Sequence, residues 1–153
     1  ASASLATGDR RYRSHPKLLF NPAINLDVGQ DYLAYLMDRG VGSDLLRVVA
    51  AYNAGPGTVL KTAAMIGDDD PLLLIESLPA LETRDYVEKV MAAYWSYKRL
   101  FGEQPRTLDA LARGASHVDA ALDLPDAPDA QPELAPQPLK IGAAATLQTT
   151  AFD

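Results

Sequence analysis

Twice in this chain a capping side chain is followed at once by proline, at Asn21-Pro22 and at Asp70-Pro71, and each pair opens an apolar run. A side-chain oxygen at such a position satisfies the first free amides of a helix, and proline already holds the φ angle of the first turn. Behind the first pair, Ile24, Val28, Tyr32 and Leu36 recur every four residues on one face until Gly40 and Gly42 stop the run. Ser43 or Asp44 can cap a second helix through Leu45, Leu46, Val48, Val49 and Tyr52. That helix is apolar on most sides, which predicts the buried central helix. Asn53-Ala54-Gly55-Pro56-Gly57 breaks it. A short helix covers Thr58 to Ile66, and Pro79 ends the one that Asp70 caps. The longest runs from Glu82 to Phe101, with Tyr86, Val87, Val90, Tyr94, Tyr97 and Phe101 on its apolar face. Lys98 and Arg99 stand near its carboxy end, where the helix dipole favours cations. No alternating strand pattern competes and no internal repeat is present, so the expected fold is all-α.

The 153 residues carry a formal net charge of -6 and no cysteine. The charge argues against nucleic acid as a partner, because such proteins present basic stripes to phosphates. Without cysteine there is no disulfide scaffold, thiolate zinc site or cysteine nucleophile. His15 and His117 are too few for a multi-histidine metal site, and neither a metal nor a cofactor is expected. Arg10, Arg11 and Arg13 are followed by an apolar run of only Leu18 to Phe20, too short for a signal sequence. No stretch approaches the roughly 20 apolar residues that span a bilayer, and a soluble piece is expected.

Composition changes near residue 103. Ten of the eleven aromatic residues precede it, whereas six of the eleven prolines follow it. The expected division is therefore a helical body over 1–103 and an acidic Ala/Pro-rich tail over 104–153. A tail of this kind lacks the large apolar surface needed to offset ordering costs of about 1–2 kcal/mol per residue. It is expected to be largely disordered, with a short helix at Thr107 to Arg113 and no persistent structure from 115 onward.

Three landmarks follow one another in the body. Asn21 to Leu36 reads NPAINLDVGQDYLAYL, Ala50 to Gly57 reads AAYNAGPG, and Ile75 to Val87 reads IESLPALETRDYV. In this order and spacing they resemble the lytic transglycosylases of the lysozyme superfamily, which share a goose-type lysozyme-like helical domain. Leu78 and Ala80 depart from the isoleucine and phenylalanine usual in the third segment. The family's single catalytic glutamate precedes a G-x-M-Q-x-M-P helix, and the opening ASASLATGD resembles the stretch after that helix. The resemblance thus implies a domain incomplete at its amino end, with the general acid expected upstream of Ala1 and no catalytic residue in this chain. The complete enzyme would cleave the β-1,4 bond between N-acetylmuramic acid and N-acetylglucosamine, closing a 1,6-anhydro ring instead of adding water. In the family's mechanism one glutamate serves as acid and then base, with help from the substrate's acetamido group. Peptidoglycan glycan strands are the implied partner, and a bacterial periplasm or envelope the implied location. The upstream segment of the same domain and envelope proteins reached through the tail are two further candidate partners.

With the acid elsewhere, the residues present have to hold a glycan and exclude water. Tyr52 has a rigid apolar body and a polar tip for that task; its alternative is a core tyrosine. Asn53 offers both donors and an acceptor to an acetamido group, or serves the helix end. Gly55 and Gly57 suit the turn and let backbone approach a ligand. The resemblance carries Glu82 as a groove residue, against a favourable charge at a helix amino end. Tyr86 lines the groove or packs in the core. Glu76 reads as an ion-pair partner of Arg84. The substrate-binding set is therefore Tyr52, Asn53, Glu82 and Tyr86. Against an enzyme's substrate-binding half stand two alternatives: a non-catalytic glycan-binding or scaffold module of the envelope, and a fragment of an ordinary enzyme.

Overall fold

The computed structural model describes residues 2–67 and 70–125. Asp68 and Asp69, expected in a solvated loop, and the tail beyond Pro125 lie outside the described residues. The element order is α1 (Ser2–Thr7), α2 (Arg11–Ser14), a 3₁₀ turn (Pro16–Phe20), α3 (Pro22–Arg39), α4 (Leu45–Ala54) and α5 (Pro56–Ile66). Then come α6 (Pro71–Ser77), α7 (Leu81–Leu100), α8 (Arg106–Ala112) and a second 3₁₀ turn (Ala120–Asp123). Among the described residues the only β pairing is an isolated bridge between Asp44 and Asp119. The fold is all-α, as the periodicity implied.

The caps sit where the sequence placed them. Asn21 Oδ1 accepts from the amides of Ala23 and Ile24 at 3.0 and 3.4 Å. Asp70 Oδ1 accepts from those of Leu72 and Leu73 at 2.9 and 3.0 Å. Of the two candidates for α4, Asp44 is the cap, accepting from Arg47 N at 3.0 Å. Helix α4 is the spine: Leu46, Val48, Val49, Ala50 and Ala51 are all buried, and α3, α5, α6 and α7 pack against it. Leu36, Val59, Leu74, Leu78, Val87 and Met91 complete the core around it.

Two expectations are corrected. The apolar face of α7 does not extend to its end, for Tyr97 and Phe101 are 60% and 73% exposed and stack on each other at 6.3 Å. At 1.5 Å per residue the 20-residue α7 is twice as long as the 10-residue α4, so its last turn overruns the spine. The fully buried positions are Thr83, Val87 and Met91.

The second correction is the boundary at 103. Helix α8 (Arg106–Ala112) lies one residue ahead of the helix expected over Thr107 to Arg113, but the chain stays packed well past 115. Val118 is fully buried in the core. Its amide donates to Asp44 Oδ2 at 2.8 Å, so one carboxylate both caps α4 and holds a residue 74 positions away. Leu45 N donates to Val118 O at 2.8 Å, and Ala120 N to Ser43 O at 2.9 Å. Asp123 is buried and accepts from Thr107 N at 3.0 Å, Thr107 Oγ1 at 2.6 Å and the Tyr94 hydroxyl at 2.9 Å. Trp95 Nε1 donates to Thr107 Oγ1 at 2.9 Å, and Lys98 to the Asp123 carbonyl at 3.0 Å. Residues 115–123 are thus a strap tied at both ends by buried carboxylates. Few large apolar side chains were needed, because hydrogen bonds to buried carboxylates contribute more each than neutral ones.

Candidate functional site

Tyr52 and Asn53 occupy the last turn of α4, and the chain turns sharply after them. Gly55 has φ 82° and ψ 148°, a conformation that a side chain makes costly. Pro56 then opens α5 directly, as a residue without an amide proton can. Tyr52 is left at the mouth of this turn, 38% exposed. Its ring tilts against Tyr32 at 5.4 Å, and its hydroxyl has no hydrogen-bond partner among the described residues.

That hydroxyl lies over Gly29, in the middle of α3. A Cβ built on Gly29 would stand 3.3 Å from the Tyr52 oxygen, closer than ordinary van der Waals contact. Glycine inside a helix costs about 0.5–1 kcal/mol relative to alanine. The close approach of Tyr52 is the physical reason for this one.

Around these residues α3, α4 and α7 leave an apolar cleft of about 510 Å³. Leu26 and Leu33 of α3, Val49 and Tyr52 of α4, and Tyr86 and Tyr94 of α7 are among its walls, with Asn25 and Gln30 adding polar groups. Tyr86 is half-buried; burial first, and then the neighbouring Tyr52, push its ionisation above the ordinary tyrosine range. Among the described residues the three tyrosines are the only titratable side chains in the lining. At neutral pH the cleft can therefore donate hydrogen bonds, stack against a ring and exclude water, but among the described residues its walls hold no carboxyl or imidazole to move a proton.

Of the four expected binding residues, Tyr52 and Tyr86 share this cleft. Asn53 is exposed beside it, and its Oδ1 accepts a hydrogen bond of 2.7 Å from Thr83 Oγ1 in the first turn of α7. Glu82 is exposed in that same turn and is not part of the cleft's lining. Glu76 and Arg84 are linked through the main chain, the guanidinium donating to the Glu76 carbonyl at 2.9 Å. That bond ties α6 to α7 across Pro79. Gly29 and Thr83 escaped the sequence reading. Both stand inside the landmarks that carry the resemblance, Gly29 in Asn21 to Leu36 and Thr83 in Ile75 to Val87, but what each touches lies on another helix.

Three comparisons with known proteins bear on this arrangement. The family model described as the transglycosylase SLT domain matches residues 3–71, from α1 to the opening of α6. The soluble lytic murein transglycosylase of Escherichia coli is 36% identical over 104 residues, covering 66% of this chain and 16% of that protein. Its counterpart in Salmonella typhimurium is 37% identical over 92 residues, 58% of this chain and 14% of that one. The membrane-bound lytic murein transglycosylase C of Salmonella typhi is 36% identical over 99 residues, 53% of this chain and 28% of that protein. The chain thus spans less than a third of the length of each of these relatives. No solved structure matches it. Among the described residues no helix is long and apolar enough to cross a membrane. Residues 3–71, which include the helices bearing Gly29, Tyr52 and Asn53, are thus what this chain has in common with the transglycosylase SLT domain family.

Proposed function

We propose that this chain is the glycan-holding part of a peptidoglycan lytic transglycosylase, acting on the bond between N-acetylmuramic acid and N-acetylglucosamine in a bacterial periplasm or envelope. The observation that carries the reading is the Tyr52 hydroxyl, unpartnered among the described residues and lying over Gly29 beside Tyr86, inside a family match to murein transglycosylases. A core tyrosine would have satisfied its hydroxyl and needed no glycine opposite it. Tyr52, Asn53 and Tyr86 orient the sugars in this reading, and Glu82 contacts the glycan or its peptide stem from the rim. The general acid is supplied from outside residues 1–153.

The test is incubation of the chain with purified sacculi, followed by assay of both binding and 1,6-anhydromuropeptides. Binding without release is expected, because removing a positioned acid/base group costs about 10²–10⁴-fold in rate. Turnover abolished by Glu76→Gln or Glu82→Gln would move the acid into this chain, and absence of binding would remove the glycan site. One observation favours the second reading, a non-catalytic glycan-binding module: among the described residues the cleft lining has no carboxylate. Assaying the natural protein at its full encoded length separates the two. Release of anhydromuropeptides by the longer protein supports the enzyme, and binding alone the module.

A further inference from the structure

A second groove, of about 800 Å³, runs along the face of α7 that lies about half a turn around the helix from the cleft. Leu81, Asp85, Glu88, Ala92 and Trp95 line it at alternating intervals of four and three residues. That is the spacing with which one helix face meets another helix. Leu72 of α6 and Leu111 of α8 flank this stripe without covering it. Leu72 and Leu81 are 55% and 63% exposed, and Asp85, Glu88 and Ala92 are exposed as well. Ala92 sits in the middle of the stripe, and the separation of two packed helices is set by the side chains at their contact, so a second backbone can come close there.

The charge of the groove selects its occupant. Glu76, Asp85 and Glu88 place three exposed carboxylates in the lining, and Arg84, its one cation among the described residues, donates to the Glu76 carbonyl at 2.9 Å. A second copy of the chain brings a net charge of -6 of its own. Residues 126–153 carry Asp126, Asp129, Glu133 and Asp153 against Lys140 alone. Neither complements an acidic groove. From Leu81 to Trp95 the stripe is about 21 Å long, the length of a helix of about four turns. We propose that this groove docks an amphipathic helix of another protein, whose apolar stripe is flanked by lysine or arginine. The apolar side chains settle between α6 and α8 over Ala92, and the basic flanks meet the three carboxylates, which set the orientation and speed of docking. The cleft lies on the other side of α7 and stays open. The inference therefore stands apart from the glycan reading.

Trp95 is the chain's only tryptophan and lines the groove, so its fluorescence reports occupancy. The probe is a synthetic helix of leucine and lysine, about 14 residues long to match the stripe, with leucine along one face. Its counterpart carries glutamate in place of lysine. The lysine peptide should move Trp95 emission to shorter wavelength and saturate at one peptide per chain. The glutamate peptide should bind at least about tenfold more weakly. Asp85→Lys combined with Glu88→Lys should weaken the lysine peptide by about tenfold or more. Asp27→Lys combined with Asp31→Lys makes the same change of net charge at exposed positions of α3 outside the groove, and should leave binding as it was. Ala92→Gln fills the middle of the stripe without changing charge and should weaken binding as well. All these positions are exposed, so helical content should persist. Equal loss in the two charge-reversed pairs means attraction by net charge alone and overturns the inference. So does undiminished binding to Ala92→Gln, or an unmoved Trp95 emission in the native chain. Emission that moves with the chain's own concentration assigns the groove to a second copy and overturns it too.

Discussion

The two ends of α7 face different surroundings, and Tyr94 touches both. Its carboxy-terminal half meets the strap, where Tyr94, Trp95 and Lys98 all enter one hydrogen-bonded network around Thr107 and Asp123. Its amino-terminal half meets the cleft, where Tyr86 stands beside a half-exposed Tyr52, a mid-helix glycine and open apolar walls. Among the described residues no buried side-chain nitrogen or oxygen lacks a partner, and the strap holds the most demanding of them. The cleft keeps the features that cost stability. A seam in which each local choice supports the others serves the fold, and departures from that consistency gather where a ligand is handled. In the proposed reading, the contrast separates residues that hold the domain together from those that would meet a glycan.

The largest expected effect comes from removing one side of that contrast. Truncation after Gly114 takes away Val118, whose full burial contributes about 1.5–3 kcal/mol. It also leaves Asp44 buried without the Val118 amide and Thr107 without Asp123. With domain stabilities of about 5–15 kcal/mol, the truncated body should be largely unfolded or melt far below the full chain by circular dichroism. A body that melts within a few degrees of the full chain would show the strap to be draped rather than integral. Asp123→Ala should do less, about 3–4 kcal/mol, because three donors lose a charged acceptor while the strap's other end stays tied. Chemical denaturation measures it, and a loss below about 1 kcal/mol would make the network incidental.

Alkaline titration probes both halves of α7 in one experiment. Burial is the largest cause of the raised ionisation of Tyr94, followed by its hydrogen bond to Asp123; for Tyr86 burial leads and Tyr52 adds to it. Both groups hold their protons more tightly in the folded state than in the unfolded chain, where tyrosine ionises near about pH 10. Their contribution to stability is therefore complete below about pH 10 and is lost as pH climbs through the higher native values. Phenolate absorbance should show Tyr94 as the last tyrosine to ionise, coincident with unfolding, and Tyr86 ahead of it. Tyr94→Phe should remove the later step alone. An order reversed between the two would mean the strap network is looser than the cleft.

How far these contrasts could be read in advance depended on the range of the interactions. Asn21, Asp44 and Asp70 were legible as caps because a cap is answered within three residues. The second oxygen of Asp44 was not, since its partner lies 74 positions on. Asp123 was hidden for a related reason. In composition it belongs to a segment of Ala, Pro and Asp, and averaging over that window erased the burial of Val118 and Asp123. Tyr52 was legible through a signature around it, whereas Thr83 and Gly29 matter only through a residue on another helix. Local chemistry wrote itself into the sequence, and contacts between helices did not.

The smallest expected change in stability is also the most discriminating, because its sign opposes its effect on function. Gly29→Ala adds a methyl in the middle of α3, and helix propensity alone should stabilise the chain by about 0.5–1 kcal/mol. The same methyl meets the Tyr52 hydroxyl at 3.3 Å. Tyr52 is 38% exposed at a helix end, so its ring can yield by a few tenths of an ångström, and the gain in stability should survive as a net of a few tenths of a kcal/mol. What is lost is the hydroxyl's position. Tyr52→Phe is the control: with no partner to give up among the described residues, it should leave stability nearly unaltered while weakening binding to sacculi. If the hydroxyl acts on the glycan, Gly29→Ala should weaken binding in the same direction while raising the melting temperature. Both variants measured by thermal unfolding and sacculus pull-down in one buffer give the comparison. A Gly29→Ala chain that is less stable and binds normally would mean that Tyr52 is wedged in the core and cannot yield. The cleft would then belong to the fold, as the strap does.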